Sequence, residues 1–140
     1  MSRIGRRIAF DYGDVRIGVA VCDPDGILAT PLETLASKDP GIKKQIAMLI
    51  DEYEPVKFYV GQPKLLSGQE GTAVTKVLAF TQMLTEGFDI PVVLVDERLS
   101  TVSASKQLRE AGVTEKDARS VIDAAAAVAI LEQGLANERK

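Results

Sequence analysis

The sequence predicts one mixed α/β domain, and three observations lead there. The chain has 140 residues, 46% of them hydrophobic and 26% charged, which suits one compact core and argues against general disorder. Its first third reads as short β-branched runs separated by turn signals. The remainder alternates stripes at helical spacing with short apolar runs, the pattern of βαβ units with right-handed crossovers.

Arg6 to Tyr12 reads as a first strand, with Ile8 and Phe10 on one face and Ala9 and Asp11 on the other. Tyr12-Gly13-Asp14 is a turn, and Arg16 to Cys22 is a second strand; so short a connection predicts an antiparallel hairpin. Asp23-Pro24-Asp25-Gly26 is a further turn, followed by a third strand over Ile27 to Leu35. Asp39-Pro40 predicts an N-cap with proline at the first helical position, opening a helix with Ile42, Ile46, Leu49 and Ile50 as its stripe and an end near Glu54.

Val56 to Val60 is a short buried strand leading to Gly61-Gln62-Pro63. Ser67-Gly68-Gln69-Glu70 reads as a capping box for a helix carrying Val74, Val77, Leu78, Thr81 and Leu84, stopped by Gly87. Ile90 to Asp96 is the fifth strand, and Ser100 to Ala111 a shorter helix closed by Gly112. Thr114-Glu115-Lys116-Asp117 starts the last helix, expected to reach about Leu135 and to bury Val121, Ala125, Val128 and Leu135. The whole is a mixed five-stranded sheet, its first three strands antiparallel, with helices flanking it.

Three acids stand where unpaired charge is costly. Asp11 ends Ile8-Ala9-Phe10, Glu97 follows Val92-Val93-Leu94-Val95-Asp96, and Asp123 lies within Ser120-Val121-Ile122-Asp123-Ala124-Ala125. Carboxylates from distant parts of the chain suggest one shared site for a hard divalent cation. The chain has no histidine and one cysteine, Cys22, so it builds no Ser-His-Asp triad, Cys-His pair or His- or Cys-cluster zinc site from its own residues, and no internal disulfide. Oxygen ligands favour magnesium, manganese or calcium. No apolar run approaches the roughly 20 residues that span a bilayer, and no signal-peptide pattern is present, so a cytoplasmic protein is expected.

Each candidate has a plainer reading. Asp11 alone suits a turn-capping acid before Gly13, and Asp123 suits a solvent-facing helix position paired with Arg119. Against the latter, Asp123 is mid-helix, shares a face with Ala126 and Ala127, and those small residues permit close packing on the sheet. Asp96 and Glu97 compete, because successive strand residues face opposite sides. Arg3, Arg6, Arg7 and Arg16 form either a solvated basic end or a phosphate-binding one, with Arg16 the best placed beside Asp11. Gly13 and Gly18 serve a hairpin or a close backbone approach. Tyr12 is a core-rim residue or a base-stacking one, and Ser100 an N-cap or a substrate contact.

The element order and the local sequence resemble the YqgF/RuvX family of RNase H-like nucleases. Arg7-Ile8-Ala9-Phe10-Asp11-Tyr12-Gly13-Asp14-Val15-Arg16-Ile17-Gly18-Val19-Ala20 is similar to its opening signature. Val60-Gly61-Gln62-Pro63 with Ser67-Gly68 and Gly71 resembles its middle motif. Asp96-Glu97-Arg98-Leu99-Ser100-Thr101 and Val121-Ile122-Asp123-Ala124-Ala125-Ala126 resemble the last two. Members usually carry an apolar residue where Gln62 stands.

The resemblance implies a single RNase H-like nuclease domain over residues 1–140, with Asp11, Glu97 and Asp123 catalytic and holding Mg²⁺ or Mn²⁺, two ions being expected. Asp11 would bridge the metals, and Arg16, Arg98, Thr101 and Gly13 would contact substrate. Implied partners are structured RNA or a DNA junction, with no membrane and a monomer or homodimer. The implied activity is 5′-end trimming of the small-subunit ribosomal RNA precursor; a Holliday-junction resolvase is the near alternative. A nucleotide-binding module of the actin-like kind and a non-catalytic assembly factor are the remaining readings.

Overall fold

The computed structural model describes residues 5–62, 72–96 and 115–138. Strand β1 (Arg7–Tyr12) turns back as β2 (Arg16–Cys22), followed by β3 (Ala29–Pro31) and β4 (Leu35–Ala36). Helix α1 (Ile42–Tyr53), strand β5 (Lys57–Gln62), helix α2 (Thr72–Gly87), strand β6 (Val92–Asp96) and helix α3 (Glu115–Glu138) complete the described elements. The strands run in the order β3-β2-β1-β5-β6, with β4 also on β2. Strands β1, β5 and β6 are mutually parallel, while β2 is antiparallel to β1, β3 and β4. The mixed sheet and the antiparallel opening therefore match the expectation from sequence.

Strand alternation divides the core into two layers. Ile8, Phe10, Ile17, Val19, Phe58 and Val60 point to α1 and α2, where Ile46, Val77, Phe80 and Leu84 are buried against them. Phe10 makes edge contacts with Phe58 and Phe80 at centroid distances of 5.3 and 5.5 Å. Ala9, Ala20, Cys22, Tyr59 and Val95 point the other way, onto Ala127, Ile130, Leu131 and Leu135 of α3. Alanines in both surfaces allow the helix to lie close to β1 and β2. Among the described residues no helix is long and apolar enough to cross a membrane.

Four local expectations are corrected. The single third strand is two short pieces, giving six strands rather than five among the described residues: after Leu32, whose N–H still donates to the Val19 carbonyl at 2.8 Å, Glu33 and Thr34 interrupt the run before the Ile17–Leu35 pairing. Helix α1 is not capped by Asp39 with Pro40 at its first position: Gly41 is the N-cap. The Asp39 carboxylate instead accepts from the Gly41 N–H at 2.8 Å and from the Gln45 amide at 2.9 Å, closing a local turn ahead of the helix. On α2, Phe80 is buried and Leu78 is 46% exposed, so the inward stripe runs Val77-Phe80-Leu84. On α3, Ala125 and Val128 are only half-buried, and the sheet is met by Ala126, Ala127, Ile130, Leu131 and Leu135. The Ser67–Glu70 capping box and the Ser100–Ala111 helix lie outside the described residues.

Candidate functional site

The carboxyl ends of the three parallel strands lie side by side. Phe10 pairs with Val60, which pairs with Leu94; one and two residues on, Gly61 pairs with Val95 and Gln62 with Asp96. Asp11, next along β1 after Phe10, thus stands at the end of the central strand, where open α/β sheets place their ligand crevices. It shares the parity of Ala9, whose side is covered by α3, and is half-buried. Tyr12 has the other parity and packs on Phe80 at a centroid distance of 5.1 Å. Tyr12 is therefore a core-rim residue of the α2 layer.

Arg16 lies on the same face as Asp11. Asp11 pairs directly with Gly18, and Arg16, two residues before Gly18, shares the parity of Ala20 and Cys22. A guanidinium in this diagonal position adjoins the carboxylate's side of the sheet. Gly13 is fixed by the hairpin itself: its N–H donates to the Arg16 carbonyl at 3.0 Å. A Cβ at Gly13 would meet that same carbonyl oxygen at 2.7 Å, so the turn admits no side chain there.

Two residues that the sequence did not single out brace this hairpin. The Ser37 hydroxyl donates to the Gly13 carbonyl at 2.5 Å, and the Ser37 N–H donates to the Val15 carbonyl at 3.0 Å. Lys76 of α2 pairs with Asp14 at 2.7 Å; this hydrogen bond and charge, with Lys38 adding to it, hold the exposed Asp14 carboxyl below its usual range. Their separations of 24 and 62 residues leave no local signal in the sequence.

The direction of α3 is set at the opposite end of the sheet. Glu138 accepts from Arg7 at 3.1 Å and from Lys57 at 2.5 Å, the first residues of β1 and β5, and from the Tyr59 hydroxyl. The helix C-terminus is thereby fixed at the strands' amino ends, and its earlier turns run back toward their carboxyl ends. Asp123 is in α3, three and four residues before the buried Ala126 and Ala127. Its side chain lies outside the described residues, as do Glu97, Arg98 and Thr101 altogether. Among the described residues no group of three or more acidic, histidine or cysteine side chains forms a metal cluster. Of the predicted site, the structure brings Asp11, Arg16 and Gly13 together.

The donor chemistry excludes soft-metal alternatives at this end. No histidine exists in the chain, and Cys22 is buried at the far end of β2, where its Sγ accepts from the Arg7 N–H at 3.2 Å. Burial pushes its thiol up, against the smaller influence of Arg7.

Comparison with known proteins agrees with this architecture. Thermus thermophilus RuvC, solved in complex with a Holliday junction substrate, superposes with a TM-score of 0.61 over 96% of each chain at 17% identity. Thermus thermophilus RuvC in a second structure gives a TM-score of 0.55 over the same shares. These likenesses establish an RNase H-like fold. A Streptomyces coelicolor protein named "Putative pre-16S rRNA nuclease" is 56% identical over 98% of this chain and 83% of its own length. One of the same name from Rhodococcus opacus is 52% identical over 96% of this chain and 79% of its own length. The family model described as RuvX, Holliday junction resolvase, matches residues 5–137. A match of that extent, on a sheet that carries Asp11 at its central strand's carboxyl end, shows that the chain belongs to the RuvX family.

Proposed function

We propose that this protein is a divalent-metal-dependent nuclease that hydrolyses phosphodiester bonds in structured RNA, its substrate being the 5′ end of the 16S ribosomal RNA precursor. The observation that carries the reading is Asp11 at the carboxyl end of β1, half-buried on the face that α3 covers. The relatives named for pre-16S rRNA cleavage support the substrate.

Asp11 and Asp123 supply oxygen ligands, and the third comes from Glu97. Val95 belongs to the α3 face, whereas positions 92 and 94 belong to the layer of α1 and α2. Glu97 stands two residues beyond Val95 in the sequence and occupies the acidic position of the Asp96-Glu97-Arg98 motif, which is why it is chosen over Asp96. An all-oxygen set in a chain without histidine fits magnesium or manganese. When bound, such ions polarise the phosphate and lower the pKa of the attacking water.

The chain's own residues do the rest. Arg16 presents planar donors beside Asp11 and orients a phosphate. The braced hairpin holds Asp11 and Arg16 in fixed relation, so little reorganisation accompanies substrate binding. Arg98 and Thr101, which follow Glu97, contact the sugar-phosphate backbone.

The test compares wild type with Asp11→Asn, each with magnesium, manganese and then a chelator. Substrates are single-stranded RNA, a 5′-extended small-subunit rRNA precursor and a four-way DNA junction. Cutting of the precursor that needs both metal and Asp11 is expected. Retained cleavage by Asp11→Asn would sink the site assignment. Preference for the junction would move the substrate to DNA, the reading favoured by the RuvX family description.

A further inference from the structure

The face of the sheet away from Asp11 carries a groove that the nuclease reading does not use. It lies between α1 and the segment joining β3 to β4, at the sheet's edge, and encloses about 440 Å³. Leu32, Leu35, Leu49 and Tyr53 form its floor, and Met48 stands at its lip with 62% of its surface in water. A cavity of this size is within the usual range for ligand sites. An exposed, unbranched methionine beside leucines is the side-chain chemistry of surfaces that adapt to a partner's apolar residues.

The charge on this groove has one sign. Glu33 on the strand side and Glu52 on the helix side both line it, and among the described residues no lysine or arginine does. Arg6 lies within electrostatic reach of Tyr53, and Lys43 and Lys44 are on α1, but all three are outside the lining. Two carboxylates on apolar ground repel a phosphate backbone and draw in a cation. Pro31, exposed on edge strand β3, has no N–H to donate, which disfavours simple strand addition by a second copy of this chain.

We infer that this groove is a docking site for a basic protein segment, one that sets an apolar side chain against Met48 and Tyr53 and its cations against Glu33 and Glu52. The site lies on the α1 layer, so the segment and a nucleic acid at Asp11 occupy opposite faces.

The experiment uses the full chain labelled with ¹³C at its methionine methyls, with Met83 on α2 as the internal reference. The probe is a synthetic peptide of alternating lysine and leucine blocks; its counterpart has glutamate for every lysine. The Met48 methyl is expected to shift saturably with the lysine peptide and not with the glutamate peptide, while Met83 stays in place. The exposed double variant Glu33→Lys, Glu52→Lys should weaken lysine-peptide binding by about tenfold or more. Should that variant fail to fold, the two peptides on wild type still decide.

No Met48 shift, an equal shift with the glutamate peptide, or unchanged affinity in a folded double variant would overturn the proposal. A short RNA that moves Met48 would do so as well, making the groove a nucleic-acid surface. A Met48 shift that follows protein concentration alone, with a doubled mass in sedimentation, would make a second copy the occupant and also overturn it. None of these readouts depends on cleavage.

Discussion

Gly134 of α3 lies flat against the ring of Tyr59: a Cβ there would come within 2.8 Å of Tyr59 Cδ2 and Cε2. Tyr59 is fully buried and its hydroxyl is bonded to Glu138, so the ring has nowhere to go. Gly134→Ala gains about 1 kcal/mol in helix propensity. It loses about 1–3 kcal/mol to overpacking. Net destabilisation is expected, read as a lower denaturation midpoint at unchanged slope; a midpoint equal to or above wild type would contradict this packing.

Gly13→Ala meets a backbone atom, the Arg16 carbonyl oxygen at 2.7 Å, rather than a movable side chain. The hairpin must open, at about 1–3 kcal/mol. Because Asp11 and Arg16 flank this turn, cleavage should fall along with stability, even well below the melting temperature. Full activity in a folded Gly13→Ala protein would show that hairpin geometry does not matter to the site.

Glu138 makes stability depend on pH at the acidic end. Partial burial alone would raise its carboxyl, but hydrogen bonds from Lys57 and Arg7 outweigh burial and hold it below the usual 4.5. A carboxyl depressed in the folded state contributes stability above its unfolded value and loses it as pH falls through the folded one. Glu138→Gln should therefore be less stable than wild type at pH 7 by about 1–2 kcal/mol. The gap should close as the pH drops below 4.5. A gap constant from pH 7 to pH 3, followed by thermal melts, would exclude the ionised form as its source.

Asp96 and Glu97 are adjacent in the sequence, and Glu97 is the proposed metal ligand. Glu97→Gln should lower cleavage by about a hundredfold or more, beyond what is usual for groups that merely support a ligand. Asp96→Asn should keep most activity. The reverse ranking, measured at saturating metal, would put Asp96 in the site.

Strand pattern and turn chemistry are local, which is why the β1–β2 hairpin and the position of Asp11 could be read from Arg7 to Cys22 alone. Parity then separated Asp11 from Tyr12 correctly. The alanine tract of α3 gave a poorer guide: Ala124 to Ala127 offer no contrast between faces, and only packing with Ala9, Ala20 and Tyr59 selects Ala127 as inward, with Ala126 buried beside it. The third strand misled for a related reason, since Leu32 and Leu35 both pack toward the α1 layer like residues of one strand, yet Leu35 belongs to a separate short strand, β4. Asp39-Pro40 has the composition of a cap, yet its carboxylate is used two residues ahead of the Gly41 N-cap. Glu138, Ser37 and Lys76 act across long stretches of chain, where neither period nor propensity carries a signal.

The Arg7–Glu138 contact joins residues 131 apart, nearly the two ends of the described chain. During synthesis, β1 and its hairpin emerge well before α3. Until that helix lands, the Ala9–Ala20–Tyr59 surface is bare and Asp11 stands without Asp123. With the proposed ligand set, a chain on which α3 has not yet docked lacks one of the three carboxylates and holds no complete metal site.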